Sequence, residues 1–357
     1  MSILFSILGV TWLLWSLREF HDEDGFETLT SMNSIPLDAS SILQKHHNNY
    51  LTYFKNETKD HLLANTNQNE TSRPLKVMLY IPGIGCKDPI RIRNVLQTVK
   101  RFQFTAEEID LHCVIGSYIM KDDYQMYPFE GDRKIIDELE QLCEVFYAPG
   151  SHYADFTRFM NPVLVGEAGF EYIIAIQDDV IVGNDFNVDR DLKYVESIDL
   201  DIFSPTIAGS THSLVKRGQD SRVTSSMKVV LTNFIEIFFV GFNLRGWECF
   251  YACSDHIKLS KGWGSDLALY PYCTKKHADF KMGVLNYISA THYNPNAALK
   301  RPLRRYKEWR TENAGEQMRR FMDVNLNGLW RDFPLIPLKG NHFLGSIDSD
   351  GNVTMLS

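Results

Sequence analysis

Between Leu75 and Gln177 the chain alternates short apolar runs with segments whose apolar residues recur at threes and fours. "LKVMLYI" reads as a strand stopped by Pro82, Gly83 and Gly85, and in "PIRIRNVLQTVKRF" Ile90, Ile92, Val95, Leu96 and Val99 keep helical spacing. "IDLHCVIGSYI", "CEVFYAP" and "EYIIAIQ" read as further strands and "KIIDELEQL" as a helix. "ADFTRFMNPVLVGEAG" is helical in pattern, kinked or broken at Pro162. Strands alternating with helices imply a parallel sheet in an α/β layer fold. No internal repeat interrupts the pattern.

In such sheets ligands bind beyond the carboxyl ends of the strands. The fourth strand runs straight into Asp178 and Asp179, so the acidic pair stands either as a turn or as a cation site at that edge. The second half of the chain adds three more polar residues among apolar segments: Glu236 in "NFIEIFFVGF", Asp266 after "KGWGS", and His292 at the end of "KMGVLNYISATH". An unpaired charge costs several kcal/mol to bury, so each of these is satisfied or lies in a cleft. Two carboxylates with one imidazole suit Mn2+ or Mg2+ better than zinc, and such a cation in an α/β protein commonly bridges a diphosphate. No G-x-x-x-x-G-K-[ST] and no G-x-G-x-x-G is present, so an NTPase or a dehydrogenase is unsupported. The net charge of -8 argues against a nucleic-acid partner.

The strand with its acidic motif, the G-W-G-x-[DE] element and the late His together resemble the GT-A fold of nucleotide-sugar glycosyltransferases. Within that group the nearest resemblance is to the domain of unknown function 707 family, best known from plants. The matching segments are "IQDD", "FIEIF", "GWECF", "WGSDL", "YPYC" and "THYNP", spread over roughly Lys76 to Pro295. The resemblance implies a Rossmann-type, mostly parallel sheet with flanking helices. It also implies transfer of a sugar from a nucleotide-sugar donor to a hydroxyl acceptor. Asp178, Asp179 and His292 would ligate the cation and Asp266 would serve as catalytic base; Gln177 and Arg158 would meet the donor, Glu236 and Trp263 the acceptor. Gln177 stands where the family has the first acid of its D-E-D motif, and it brings no charge. The alternative is a lumenal binding or scaffold protein on the same fold that has lost catalysis. Cys249 and Cys273 match positions in the family and flank "GWG", which implies a disulfide between them. Cys249 and Cys253 project from adjacent turns of one helix and would pair poorly. "KRPLRRYK", Lys300 to Lys307, could offset leaving-group charge or form a solvated face.

Ile3–Leu17 carries no charge and as a helix would reach roughly 22 Å at about 1.5 Å per residue. It is expected to be an uncleaved signal anchor over residues 1–18, since no small-x-small cleavage site comes after it; a cleaved signal peptide is the rival. Residues 19–74 read as a polar stem, 75–330 as the GT-A-like domain and 331–357 as a C-terminal extension. Sequons at Asn56, Asn69 and Asn352 and an even count of six cysteines lean towards the lumen of the Golgi or endoplasmic reticulum. The expected protein is thus a single-pass membrane glycoprotein with its folded domain lumenal.

Overall fold

A computed structural model of the protein describes residues 48–60, 73–84, 89–125, 133–149, 153–208, 224, 226–257, 265–293 and 343–355. Residues 48–60 form helix α1. Strand β1 (Lys76–Ile84) then leads to α2 (Pro89–Thr105), β2 (Asp110–Ser117), α3 (Arg133–Leu142) and β3 (Glu144–Tyr147). The segment around Pro162 is broken, not kinked. Helix α4 (Tyr153–Phe159) ends, and α5 (Pro162–Glu167) starts afresh with Pro162 in its first turn and the Asn161 side chain accepting from Val163 N. The chain continues through β4 (Tyr172–Ile176), β5 (Val180–Val182), α6 (Val188–Ser197), β6 (Ile202–Ala208), β7 (Met227–Thr232) and β8 (Phe239–Asn243). It closes with α7 (Leu244–Ile257), α8 (Ser265–Lys276), β9 (Met282–His292), β10 (Phe343–Asp348) and β11 (Val353–Met355).

One mixed sheet holds these strands in the order β11-β10-β7-β9-β6-β8-β4-β1-β2-β3, with β5 paired to β9. The β1–β2, β2–β3, β1–β4 and β6–β9 pairs are parallel. β8 runs antiparallel to both its neighbours, β4 and β6. The order 3-2-1-4 reverses direction between β1 and β4, and crevices outside the carboxyl ends of strands form at such a reversal.

Both faces of the sheet are covered, which is why the central strands read as continuous apolar runs. Val77, Leu79 and Ile81 of β1 face one core with Ile92, Val95, Val99 and Phe102 of α2, Ile136 and Leu139 of α3, and Leu192 of α6. Met78 and Tyr80 face the other, with Phe156 of α4, Trp247 and Phe250 of α7, and Ala268 of α8. Trp247 is fully buried, and its indole N–H donates to Met160 O at 2.8 Å.

The folded unit is wider than residues 75–330. Tyr50 and Phe54 of α1 are wholly buried in the second core, and the Tyr50 ring stacks on Phe146 at 3.9 Å and Phe159 at 4.8 Å. Lys76 Nζ pairs with Glu57 at 2.6 Å, tying the helix to the start of β1. Part of the expected stem is therefore core. So is part of the expected extension, because β10 pairs antiparallel with β7. Low hydrophobicity around α1 hides these two large rings in the sequence. Among the described residues no helix is long and apolar enough to cross a membrane; Ile3–Leu17, Asn69, Trp263 and Lys300–Lys307 lie outside them.

Phe54→Ala should lower the unfolding free energy of the full chain by about 3–5 kcal/mol, the usual cost of emptying a buried phenyl site. Exposed Lys55→Ala should change it by less than about 0.5 kcal/mol. Urea denaturation of the two variants checks whether α1 is core or spacer.

Candidate functional site

The acidic pair lies in a tight turn after β4, closed by a hydrogen bond from Val180 N to Gln177 O at 3.2 Å. The turn and the cation readings are thus compatible: the backbone turns, and both carboxylates are buried, Asp178 at 5% and Asp179 at 8% exposure. Strand β5, immediately after the turn, brings His292 to it. β5 pairs antiparallel with the end of β9, setting Val180 opposite His292, and Tyr293 N donates to Asp179 O at 2.7 Å. His292 Nε2 consequently lies 3.3 Å from Asp179 Oδ2, while its ring stacks on Phe238 at 4.1 Å and 16°. Gly183 lets the strands close: a Cβ there would meet Ser289 O at 2.2 Å.

A residue not foreseen in the sequence completes this cluster. Arg91, in the first turn of α2, places Nη1 3.0 Å from Asp178 Oδ1 and Nη2 3.1 Å from Asp179 Oδ2. Helix α2 lies against β1 and β5, which sets this guanidinium beside the acidic turn that joins β4 to β5. A signal for it existed. A cation in the first turn of a helix opposes the helix dipole and calls for a nearby anion.

Gln177 has a local role. Its backbone N donates to Phe238 O at 2.9 Å and its side-chain Nε2 to Ile237 O at 3.2 Å. A carboxylate there could not donate to a carbonyl oxygen, so the departure from three acids has a structural reason. The same bonds hold segment 236–238 alongside the acidic turn, which brings Glu236 to this edge. Glu236 is buried and lies near Asp266 in the first turn of α8. The Asp266 carboxylate accepts from Leu267 N at 3.1 Å, the amide of the next residue and not the N2 or N3 amide that a capping side chain takes. Burial first, then the neighbouring Glu236 charge, nevertheless push Asp266 up to about 7. Cys249 and Cys273 form a disulfide with Cα atoms 5.8 Å apart, joining α7 to the helix that carries Asp266. Cys113 and Cys143 form a second, and Cys253 is buried and free.

Arg158 stands apart from this edge in its described contacts. It pairs with Asp155 of its own helix at 3.2 Å, and its carbonyl accepts from the Tyr251 hydroxyl. Its described contacts are those of a surface i,i+3 ion pair on a helix.

The donor types at the acidic turn fit a divalent cation: two carboxylates, an imidazole, and a buried Asp179 Oδ1 with no hydrogen-bond partner among the described residues. As they stand, no three such side chains among the described residues are gathered into a cation cage. Arg91 engages the same carboxylates instead.

Residues 150–327 match the family described as "Protein of unknown function (DUF707)". That stretch holds the acidic turn, Glu236, Asp266 and His292, and leaves out β1 and Arg91. No curated protein matches the chain. Among solved structures, GalNAc-T7 with UDP, GalNAc and Mn2+ is similar at 10% identity and TM-score 0.47, over 70% of this chain and 48% of that one. The chain thus spans less than half the length of that protein. The mannosyltransferase PcManGT from Pyrobaculum calidifontis, in complex with GDP-Man and Mn2+, is similar at 14% identity and TM-score 0.41, over 84% and 77%. S. aureus TarS 1-349 is similar at 12% identity and TM-score 0.35, over 61% and 60%. The expected α/β layers with helices on both faces are present, but the expected mostly parallel sheet is corrected to a mixed one: β1, β2, β3 and β4 pair in parallel, whereas β5, β7, β8, β10 and β11 pair antiparallel with their neighbours.

A carboxyl raised in the folded state binds its proton more tightly than in the unfolded chain. Its contribution to stability is therefore full below the unfolded value of about 4 and falls as pH rises through about 7. Asp266→Asn should flatten the stability curve across that window. In carboxyl-carbon NMR, Glu236→Gln should lower the Asp266 midpoint but leave it above the ordinary carboxylate range, since burial is the larger cause. A midpoint unmoved by Glu236→Gln would separate the two acids.

Proposed function

We propose that the chain transfers a sugar from a nucleotide-sugar donor to a hydroxyl acceptor. The observation that carries this is the convergence, at one sheet edge, of the acidic turn with His292 and of a second acid, Asp266, raised to about 7. A Mn2+ or Mg2+ ion held by Asp178, Asp179 and His292 would supply positive charge against that developing on the departing diphosphate. Asp266, raised to about 7 by burial and the Glu236 charge, takes in its deprotonated form the acceptor's hydroxyl proton as the acceptor oxygen bonds to the sugar and the sugar–diphosphate bond breaks. Glu236, buried beside it, raises the affinity of Asp266 for that proton, which suits a base that must accept one late in the reaction. Phe238 keeps the His292 ring in plane against the turn. Gln177 holds the turn to segment 236–238 and so fixes the distance between the two acidic groups.

We also read the domain as lumenal, in the Golgi or endoplasmic reticulum, anchored through residues 1–18 and glycosylated at Asn56, Asn69 and Asn352. Two disulfides support an oxidising compartment, and the exposed side chains of Asn56 and Asn352 support glycan access. The second reading, a non-catalytic binding protein on this fold, is favoured by one observation: Arg91 already neutralises the acidic turn.

A hydrolysis screen of nucleotide sugars with Mn2+, Mg2+ or EDTA separates the two readings, since only the enzyme turns donors over. With the donor so selected, Asp266→Asn should reduce transfer by about 100-fold or more and leave nucleotide affinity nearly intact. Asp179→Asn should weaken both. Transfer by the wild type should rise with pH through about 7. A fully active Asp266→Asn protein would end the assignment of Asp266 as base.

A further inference from the structure

Arg91 grips the oxygens that a cation would need. Its two terminal nitrogens reach one oxygen of each acid, and Asp179 Oδ2 is shared between Arg91 at 3.1 Å and His292 at 3.3 Å. The Arg91 side chain is 22% exposed, against 7% and 12% for the two carboxylate side chains, so it is the more solvent-accessible partner of both pairs. Two cations cannot occupy this corner together without strong repulsion across a few ångströms of partly dry protein. Yet the acids cannot lose Arg91 with nothing in its place, because buried carboxylates need a counter-charge. The acids that the guanidinium holds follow β4, at the reversal of strand order beside β1, where the phosphates of a nucleotide would enter an open α/β sheet. A planar fork that matches two carboxylate oxygens matches two phosphate oxygens equally well.

We propose that Arg91 is the resident counter-ion of the acidic turn and is exchanged on loading: the divalent cation takes Asp178 and Asp179 while the guanidinium moves to the diphosphate. This rests on the reading of the turn as a cation site. The exchange makes cation and nucleotide bind cooperatively. The cation alone must displace Arg91 without compensation, whereas with a diphosphate present the displaced guanidinium gains a new partner. Arg91 is thereby a positioning residue for the empty site and a donor-binding residue for the loaded one.

The test is Mn2+ titration of the full chain, followed by the paramagnetic resonance of free Mn2+, with and without UDP or GDP. Arg91→Met should bind Mn2+ alone at least about tenfold more tightly than the wild type, and should lose most of the gain that a nucleoside diphosphate gives the wild type. Arg91→Lys, which keeps the charge without the fork, should stay near the wild type for Mn2+ alone and bind the nucleotide more weakly. If both proteins bind Mn2+ and Arg91→Met binds no tighter, the exchange is overturned and the cation site stands. If neither binds Mn2+ under any condition, both fall. Should Arg91→Met unfold early, its thermal midpoint settles the matter: a rise on adding Mn2+ larger than the wild type's supports the exchange, and indifference to Mn2+ overturns it.

Discussion

Two adjacent carboxylates buried at the end of a central strand set the terms for everything around them. Each would be costly to hold in a low-dielectric setting alone, and neither can retreat, because the turn that carries them is locked by Val180 N to Gln177 O and by Tyr293 N to Asp179 O. The rest of the edge answers this demand. α2 supplies a guanidinium, β9 supplies an imidazole, and segment 236–238 is held alongside through the Gln177 amide. A site of this kind is pre-organised by backbone pairing and needs no ligand to hold its parts together, since β5 and β9 set the register that puts His292 opposite Val180.

The two acidic groups of the edge are held by different means. The turn is held by the Arg91 guanidinium and the His292 imidazole. Asp266 faces Glu236 instead, and burial with a like charge raises its affinity for a proton. Environments that drive carboxylates apart in this way assign different chemical roles to the same side chain. The Cys249–Cys273 bond ties α7 to α8, and so braces the helix start on which Asp266 sits.

Away from the edge, another buried acid has a purely architectural task. Asp201, wholly buried, accepts from Arg245 Nε at 2.5 Å and Nη2 at 2.8 Å, from Lys281 N at 2.8 Å and from Asn243 Nδ2 at 3.2 Å. It joins the start of β6 to the end of β8 and the approach to β9. By residue type alone Asp201 and Asp178 are alike. The difference is that donors from three neighbouring segments converge on Asp201 at the amino-terminal end of its strand, whereas Asp178 lies at a carboxyl-terminal end beside a crevice.

The sequence by itself determined the alternation of strands and helices in the first half and singled out the acids and the histidine of the candidate site. Apolar periodicity is a local property, and the alternation from Leu75 to Gln177 could only be read as parallel strands with covering helices; the motifs around Asp178, Glu236, Asp266 and His292 each announce themselves within a few residues. Tertiary structure alone decided the rest, because it depends on pairings across long stretches of chain. The three-residue β5 is too short to carry a periodic signal, yet its pairing with β9 joins Asp179 to His292, 113 residues away. Arg91 reads as one of several surface charges on a helix until α2 is laid beside the acidic turn, 87 residues on. α1 and β10 escape notice for the same reason. Each contributes only a few apolar side chains, and only the completed core shows that Tyr50, Phe54 and Phe343 are inside it.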